Sequence, residues 1–326
     1  MPAPQSNPSP NPSTCALVVL AMLAMIAIPA AFTLYTVSHP APPIPVDQNS
    51  TPYGYTVSLL LFIIPIAAIA FWFLPGERLH VPRKAFWRTL AVLVPLGCLL
   101  DVVFAQWFFD YPNRGATLGI CAPAFGHPVP VEEYIFYLTG FLTVLLLYVW
   151  LGEYWLAAYN VSDYPGEALR YRKLVQFHPA SLIVALVLIA AALFFKKYCA
   201  LPSDRPGFPG YFTVLAAGGL FPSVSFFPVA RRFINWRAFS LTLFLMMLIS
   251  ILWEATLAVP YNWWNYQHRQ MTGLFIGAWS RLPVEAVCVW AAVTYGAVIV
   301  FEIIKVIAVS DRSTRETLFG SPNARS

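Results

Sequence analysis

The sequence predicts an all-α protein, a polytopic membrane bundle of about eight spans. Three observations predict it. Of 326 residues, 59% are hydrophobic and only 11% charged, against roughly 25% charged in a soluble domain. Eight apolar stretches approach the length of about 20 residues that crosses a bilayer as a helix. The Lys and Arg residues also fall unevenly between alternate loops.

The chain opens on a Pro/Ser/Asn-rich tail, residues 1–14, that reads as disordered. A first span over 15–36 follows. It lacks the basic start of a signal peptide, so it reads as a membrane helix. Further spans are expected over 54–74, 89–109, 131–151, 180–195, 211–229, 239–259 and 283–304. The fifth is short and stops at Lys196 and Lys197. The sixth holds Gly218, Gly219 and Pro222, which predict a kink. With eight spans, one set of loops carries 14 Lys and Arg residues and the opposite set 6. The richer set belongs on the cytoplasmic side, which puts both termini inside, and the plasma membrane is the expected location.

The chain carries an internal repeat. Lys84-Ala-Phe-Trp-Arg-Thr-Leu90 matches Arg237-Ala-Phe-Ser-Leu-Thr-Leu243 at an offset of 153 residues. The same offset carries Asp101 onto Glu254, and Pro130-Val-Glu132-Glu133 onto Pro283-Val-Glu285-Ala286. With small gaps, Phe109-Asp-Tyr111 parallels Trp264-Asn-Tyr266, and Gly119 parallels Gly273. Each repeat has three helices. The extra span between them restores the orientation of the second copy, so the repeats are parallel. The domain plan is then a tail (1–14), a first span and loop (15–51), repeat one (52–155), a linker with its own span (156–208), repeat two (209–305) and a cytoplasmic tail (306–326).

Charged groups are costly in lipid and mark function. Five acids lie in or at apolar spans: Asp101, Glu132, Glu133, Glu254 and Glu285. Pro130 and Pro283 suit the first helical position. That places Glu132 and Glu285 in a first turn, where the helix dipole favours a carboxylate. Asp101 and Glu254 lie deeper, about 12 and 8 Å from the outer helix ends, and with Glu133 suit protonated acids. Pro-x-Glu is also an ordinary helix start, and a buried acid can simply bond a neighbouring backbone. Aromatic residues accompany both copies: Trp107, Tyr111 and Phe136 in the first, Trp264 and Tyr266 in the second. Phe136 shares a helix face with Glu132. Such rings can wall a binding site and stabilise a cation, although Trp263 and Trp264 also fit an interfacial belt. The five cysteines form no CxxC pair, and there is no Gly-rich nucleotide loop, P-loop or HExxH. The net charge of +5 is dispersed, so nucleic acid is not an indicated partner.

This ordered series, in duplicate, resembles the integral-membrane lycopene β-cyclases of the heterodimeric and fused type, over residues 52–155 and 209–305. The second copy departs from the family pattern at Ala286, where a second acid is usual, and at Val289, where an aromatic is common. The resemblance implies a redox-neutral enzyme that needs no cofactor and no metal. A protonated carboxyl would start cyclisation of the ends of lycopene or a similar linear carotenoid, and a carboxylate would remove a proton to leave a β-ionone ring. It assigns catalysis to Glu132, Glu133, Glu285, Asp101 and Glu254, and substrate contact to Trp107, Tyr111, Phe136, Trp264 and Tyr266. The implied partners are the linear carotenoid, the lipid bilayer and other membrane enzymes of carotenoid biosynthesis. Two other readings stay open. One is a related cyclase or hydratase acting on another isoprenoid. The other is a proton-coupled transporter or a non-catalytic membrane subunit.

Overall fold

A computed structural model describes residues 12–39, 42–48, 51–310 and 313–320. Most of the tail expected over 1–14 lies outside this range; the first helix already begins at Pro12. The protein is an all-α, multi-pass membrane protein. Among the described residues, eight helices are long and apolar enough to cross a bilayer. They are α1 (Pro12–Ser38), α2 (Gly54–Gly76), α3 (Arg83–Phe108), α4 (Val131–Glu153), α5 (Pro179–Cys199), α6 (Gly210–Ala230), α7 (Trp236–Ala258) and α8 (Glu285–Val309). Their outward faces are strongly apolar, as Phe71, Trp87, Ile183 and Phe221 show. Lipid is the solvent that makes such faces favourable.

Helices α4 and α8 form the centre. Each packs against the other, against its neighbours in its own repeat, and against the middle helix of the opposite repeat: α4 on α7, and α8 on α3. The two extra helices stand outside, α1 against α7 and α5 against α6. Small residues bring the central helices close. A Cβ on Gly219 would stand 2.9 Å from the Ala292 backbone of α8. Gly219 of α6 thus serves close packing, and the helix runs from Gly210 to Ala230 with Pro222 and Pro228 inside it.

Six two-residue strands order the loops at one end of the bundle. Strand β1 (Phe109–Asp110) pairs antiparallel with β4 (Asn265–Tyr266), Asp110 opposite Asn265 and Phe109 opposite Tyr266. Asp110 therefore pairs with its own equivalent in the other repeat, as on a local two-fold axis. Two matching hairpins follow, β2 (Cys121–Ala122) with β3 (Val129–Pro130), and β5 (Phe275–Ile276) with β6 (Leu282–Pro283). Pro130 and Pro283 close these hairpins rather than opening the helices. Pro130 has extended backbone angles, φ −56° and ψ 141°, and helix α4 begins only at Val131.

One further expectation changes. Helix α5 does not stop before Lys196 but continues to Cys199 through a π-helical turn. Lys196 is turned inward and satisfied by protein carbonyls, so the charge does not end the span. The segment expected as a cytoplasmic tail over 306–326 includes a short helix, Thr314–Phe319, that docks back on the linker. Leu174 and Val175 donate their N–H groups to Thr317 and Leu318 at 2.9 Å each.

Candidate active site

The site is built where the loop of each repeat meets the first turn of its last helix. Glu132 is fully buried. Its Oε1 accepts from the backbone N–H of Leu118 at 2.7 Å and from the Thr56 hydroxyl at 2.5 Å. Glu285 is also fully buried, and its Oε1 accepts from the backbone N–H of Thr272 at 2.6 Å. Leu118 and Thr272 each precede a glycine in the left-handed region, Gly119 (φ +74°) and Gly273 (φ +84°). Only a residue without Cβ takes that conformation at no steric cost, and the turn it makes aims the preceding N–H at the carboxyl group. The second oxygen of each glutamate, Oε2, is buried without a protein partner. An unsatisfied buried carboxyl oxygen is costly and marks a place where a proton or a ligand is to be met.

The other three acids are held by different partners. Asp101, 3% exposed, accepts from the Tyr137 hydroxyl at 3.2 Å through Oδ1, and its Oδ2 is unpartnered. Glu133 accepts from the Tyr55 hydroxyl at 2.6 Å. Glu254 begins a π-helical turn, Glu254–Ala258, and accepts from the Trp264 indole N–H at 3.2 Å. Such a turn re-aims a side chain within an otherwise regular helix. The loop tyrosines report on these neighbours. Burial, and after it the charges of Glu133 and Asp101, push the Tyr111 phenol well above its usual range. Burial and then Glu254 do the same to Tyr266. The Tyr111 hydroxyl is buried beside the Glu133 carboxyl.

Next to the acids lies a layer of four rings in which Phe62 and Phe136 touch each other and each touches both Trp253 and Trp290, with centroids 4.9–5.8 Å apart. The faces of such rings attract cations. Beside the layer an apolar cleft runs between α4 and α8, lined by Phe136, Tyr137, Gly140, Val289, Trp290 and Val293, with about 10 Å³ of free space. A chain-like molecule entering here would have to displace Tyr137 or Trp290. Towards the loop end, a cavity of about 520 Å³ is lined by Gln106, Asp110, Tyr111, Arg114, His127 and Asn265 together with Phe109 and Val129. Among the described residues, no three His, Cys, Asp or Glu side chains gather to hold a metal ion.

The geometry sorts the residues singled out from sequence. Glu132, Glu133, Asp101, Glu285 and Glu254 are all buried. Phe136, Tyr111, Trp264 and Tyr266 adjoin them. Trp107 does not: it is 53% exposed on the outer face of α3 and packs on Phe104, which suits a lipid contact. Trp263 and Trp264 are both buried rather than interfacial, their indole N–H groups held by Thr51 and Glu254. Sequence reasoning missed Tyr55, Thr56, Phe62 and Lys196. The first two sit in a Gly-Tyr-Thr start, Gly54 to Thr56, that parallels Gly210-Tyr211 in the second repeat, and this likeness is the signal that points to them. Lys196 donates to the carbonyls of Asp204, His268 and Met271 at 2.9, 3.2 and 2.5 Å. It thereby fixes the loop that delivers the Thr272 N–H to Glu285.

No family model matches the chain, and no curated protein or solved structure matches it.

Proposed function

We propose that this protein is a membrane enzyme that cyclises the end groups of a linear carotenoid, lycopene or a close analogue, by proton-initiated and redox-neutral chemistry. The observation that carries the proposal is the matched pose of Glu132 and Glu285. Each has one oxygen fixed by a backbone N–H and the other buried and unpartnered, beside an aromatic layer that suits a carbocation. The resemblance of the duplicated Pro-Val-Glu series to the integral-membrane lycopene β-cyclases points the same way.

In this reading a protonated carboxyl among Asp101, Glu133 and Glu254 gives its proton to the terminal double bond of the polyene. The tertiary cation is attacked by an internal double bond, which closes a six-membered ring and moves the charge into it. Glu132 or Glu285 takes a proton from the adjacent ring carbon and leaves a β-ionone end. One proton enters and one leaves, so the product is an isomer of the substrate. Fixed acids and bases in a dry site supply the catalysis. A transporter would need a polar path through the bundle, whereas the acids adjoin an aromatic layer of Phe62, Phe136, Trp253 and Trp290. The Lys and Arg asymmetry favours both termini on the cytoplasmic side, and the plasma membrane is the location we propose.

Expression of the full chain in cells that accumulate lycopene, followed by pigment chromatography, tests this. Products of unchanged mass with cyclic ends are expected, gaining one deuterium per ring in heavy water. Unchanged lycopene with the protein present in the membrane removes the proposal.

A further inference from the structure

A second cavity, of about 510 Å³, lies at the opposite end of the bundle, among the loops that carry most of the Lys and Arg residues. Its walls come from the first turn of α3, the last turns of α4 and α8, and the short helix Tyr164–Leu169. Nothing in the reaction proposed above uses it.

Three cations, Arg83, Lys84 and Lys305, and two carboxylates, Glu153 and Glu302, line this cavity together with His80. Glu302 is 1% exposed and already satisfied. It accepts from the Tyr148 hydroxyl at 2.9 Å, the Tyr164 hydroxyl at 3.2 Å and Lys305 Nζ at 3.2 Å. Glu153 has Lys305 and His80 as its charged neighbours of opposite sign, whereas Arg83 and Lys84 are exposed at the cavity rim and form no salt bridge among the described residues. The lining thus keeps one uncompensated positive charge. Helix α3 adds to it: no side chain caps its first turn behind Pro82, so the positive end of its dipole meets the cavity. The remaining wall mixes apolar residues, Val81, Val149, Phe301 and Val309, with the polar groups of Asn160 and Asn235. Val309 is 40% exposed and belongs to the lining, and Trp72 and Trp87 stand on the outer faces of α2 and α3 near this end. The cavity is therefore charged within and continuous with a greasy outer face.

We propose that this cavity seats the head group of an anionic glycerophospholipid. Its phosphodiester lies against Arg83, Lys84 and the first turn of α3, and its acyl chains leave past Val309. The volume falls in the range of small-molecule pockets, about 300–1,000 Å³. Basic pockets between spanning helices are where such head groups bind. A phosphodiester lipid with one net negative charge neutralises the lining. A zwitterionic lipid leaves it charged, and free phosphate makes no use of the apolar wall.

The test is native mass spectrometry of the delipidated full chain in detergent, titrated separately with phosphatidylglycerol, phosphatidylcholine and inorganic phosphate. Phosphatidylglycerol should bind at one site about tenfold tighter than phosphatidylcholine, and R83Q/K84Q should remove that preference. The exposed pair R231Q/R232Q, outside the cavity, should keep it. Should R83Q/K84Q not fold, E153Q serves instead, and it should tighten phosphatidylglycerol several-fold by removing the opposing carboxylate. Equal binding of the two lipids by the unaltered chain overturns the proposal. So does an unchanged preference in R83Q/K84Q, or no gain in E153Q. Inorganic phosphate binding as tightly as phosphatidylglycerol overturns the lipid assignment in favour of a free-anion site.

Discussion

The Tyr55 ring of the first repeat lies 4.8 Å, centroid to centroid, from the Trp264 ring of the second. The counterpart of Tyr55 is Tyr211, and it packs 5.2 Å from Phe109, the position that matches Trp264. Each repeat thus inserts the tyrosine at the start of its first helix into the loop of the other. The exchange is symmetric in packing but not in chemistry. Tyr55 also donates to Glu133 at 2.6 Å, whereas the position equivalent to Glu133 is Ala286, buried and without a carboxyl. At the candidate site repeat one therefore contributes three buried acids, Asp101, Glu132 and Glu133, and repeat two contributes two, Glu254 and Glu285.

Tyr55→Phe keeps the ring and removes that donor. A hydrogen bond to a charged or acidic group contributes about 1.5–3 kcal/mol, so thermal unfolding of the purified chain should shift down. Product formation should fall with it. Tyr53→Phe, at an exposed position, should leave both unchanged.

Glu132→Gln and Glu285→Gln preserve shape and the Oε1 contacts while removing the base. Loss of a positioned acid or base lowers rates by about 10²–10⁴-fold. Pigment chromatography should show this loss in at least one variant, with membrane insertion intact. Full activity in both would discard the site assignment.

Lys196→Met should be among the most destabilising changes outside the repeats. It strands the carbonyls of Asp204, His268 and Met271 in a buried place, at about 1–3 kcal/mol for each group left unsatisfied. Lys197→Met, one residue on and exposed, should be close to neutral. Differential scanning fluorimetry in detergent separates the two.

Gly119→Ala and Gly273→Ala compare the two turns directly. Both pay about 1–2 kcal/mol for a side chain in the left-handed region. At Gly119 the new Cβ meets nothing within 4 Å, whereas at Gly273 it meets Ala200 Cβ at 2.8 Å. Gly273→Ala should therefore lower the melting temperature further, and it should disturb Glu285 more than its twin disturbs Glu132.

Alkaline stability should depend on Tyr266. Its phenol is raised above the ordinary value by burial and by Glu254. A phenol with a higher value folded than unfolded stabilises the fold below about pH 10. That contribution is lost as pH rises through the folded value. The melting temperature should therefore fall steeply above about pH 10, and Tyr266→Phe should flatten the slope. An equal slope in both proteins would exclude this contribution.

Much of this molecule could be read without coordinates. Hydropathy and low charge locate the spans, because lipid imposes one length and one composition on every crossing helix. The repeated Pro-Val-Glu series and the paired acids Asp101 and Glu254 are also plain in the sequence. What the sequence could not decide was which groups face one another. Trp107 and Trp264 read alike, yet one faces outward and the other bonds Glu254. Lys196 read as the end of a helix, yet it turns inward to three carbonyls. Glu302, Tyr148 and Tyr164 meet although they are far apart in the chain. Periodicity and composition are local, so the sequence by itself determined the helices, their number and the duplication. Burial and hydrogen-bond partnership depend on how α4 and α8 cross between the repeats, and only the tertiary structure decided those.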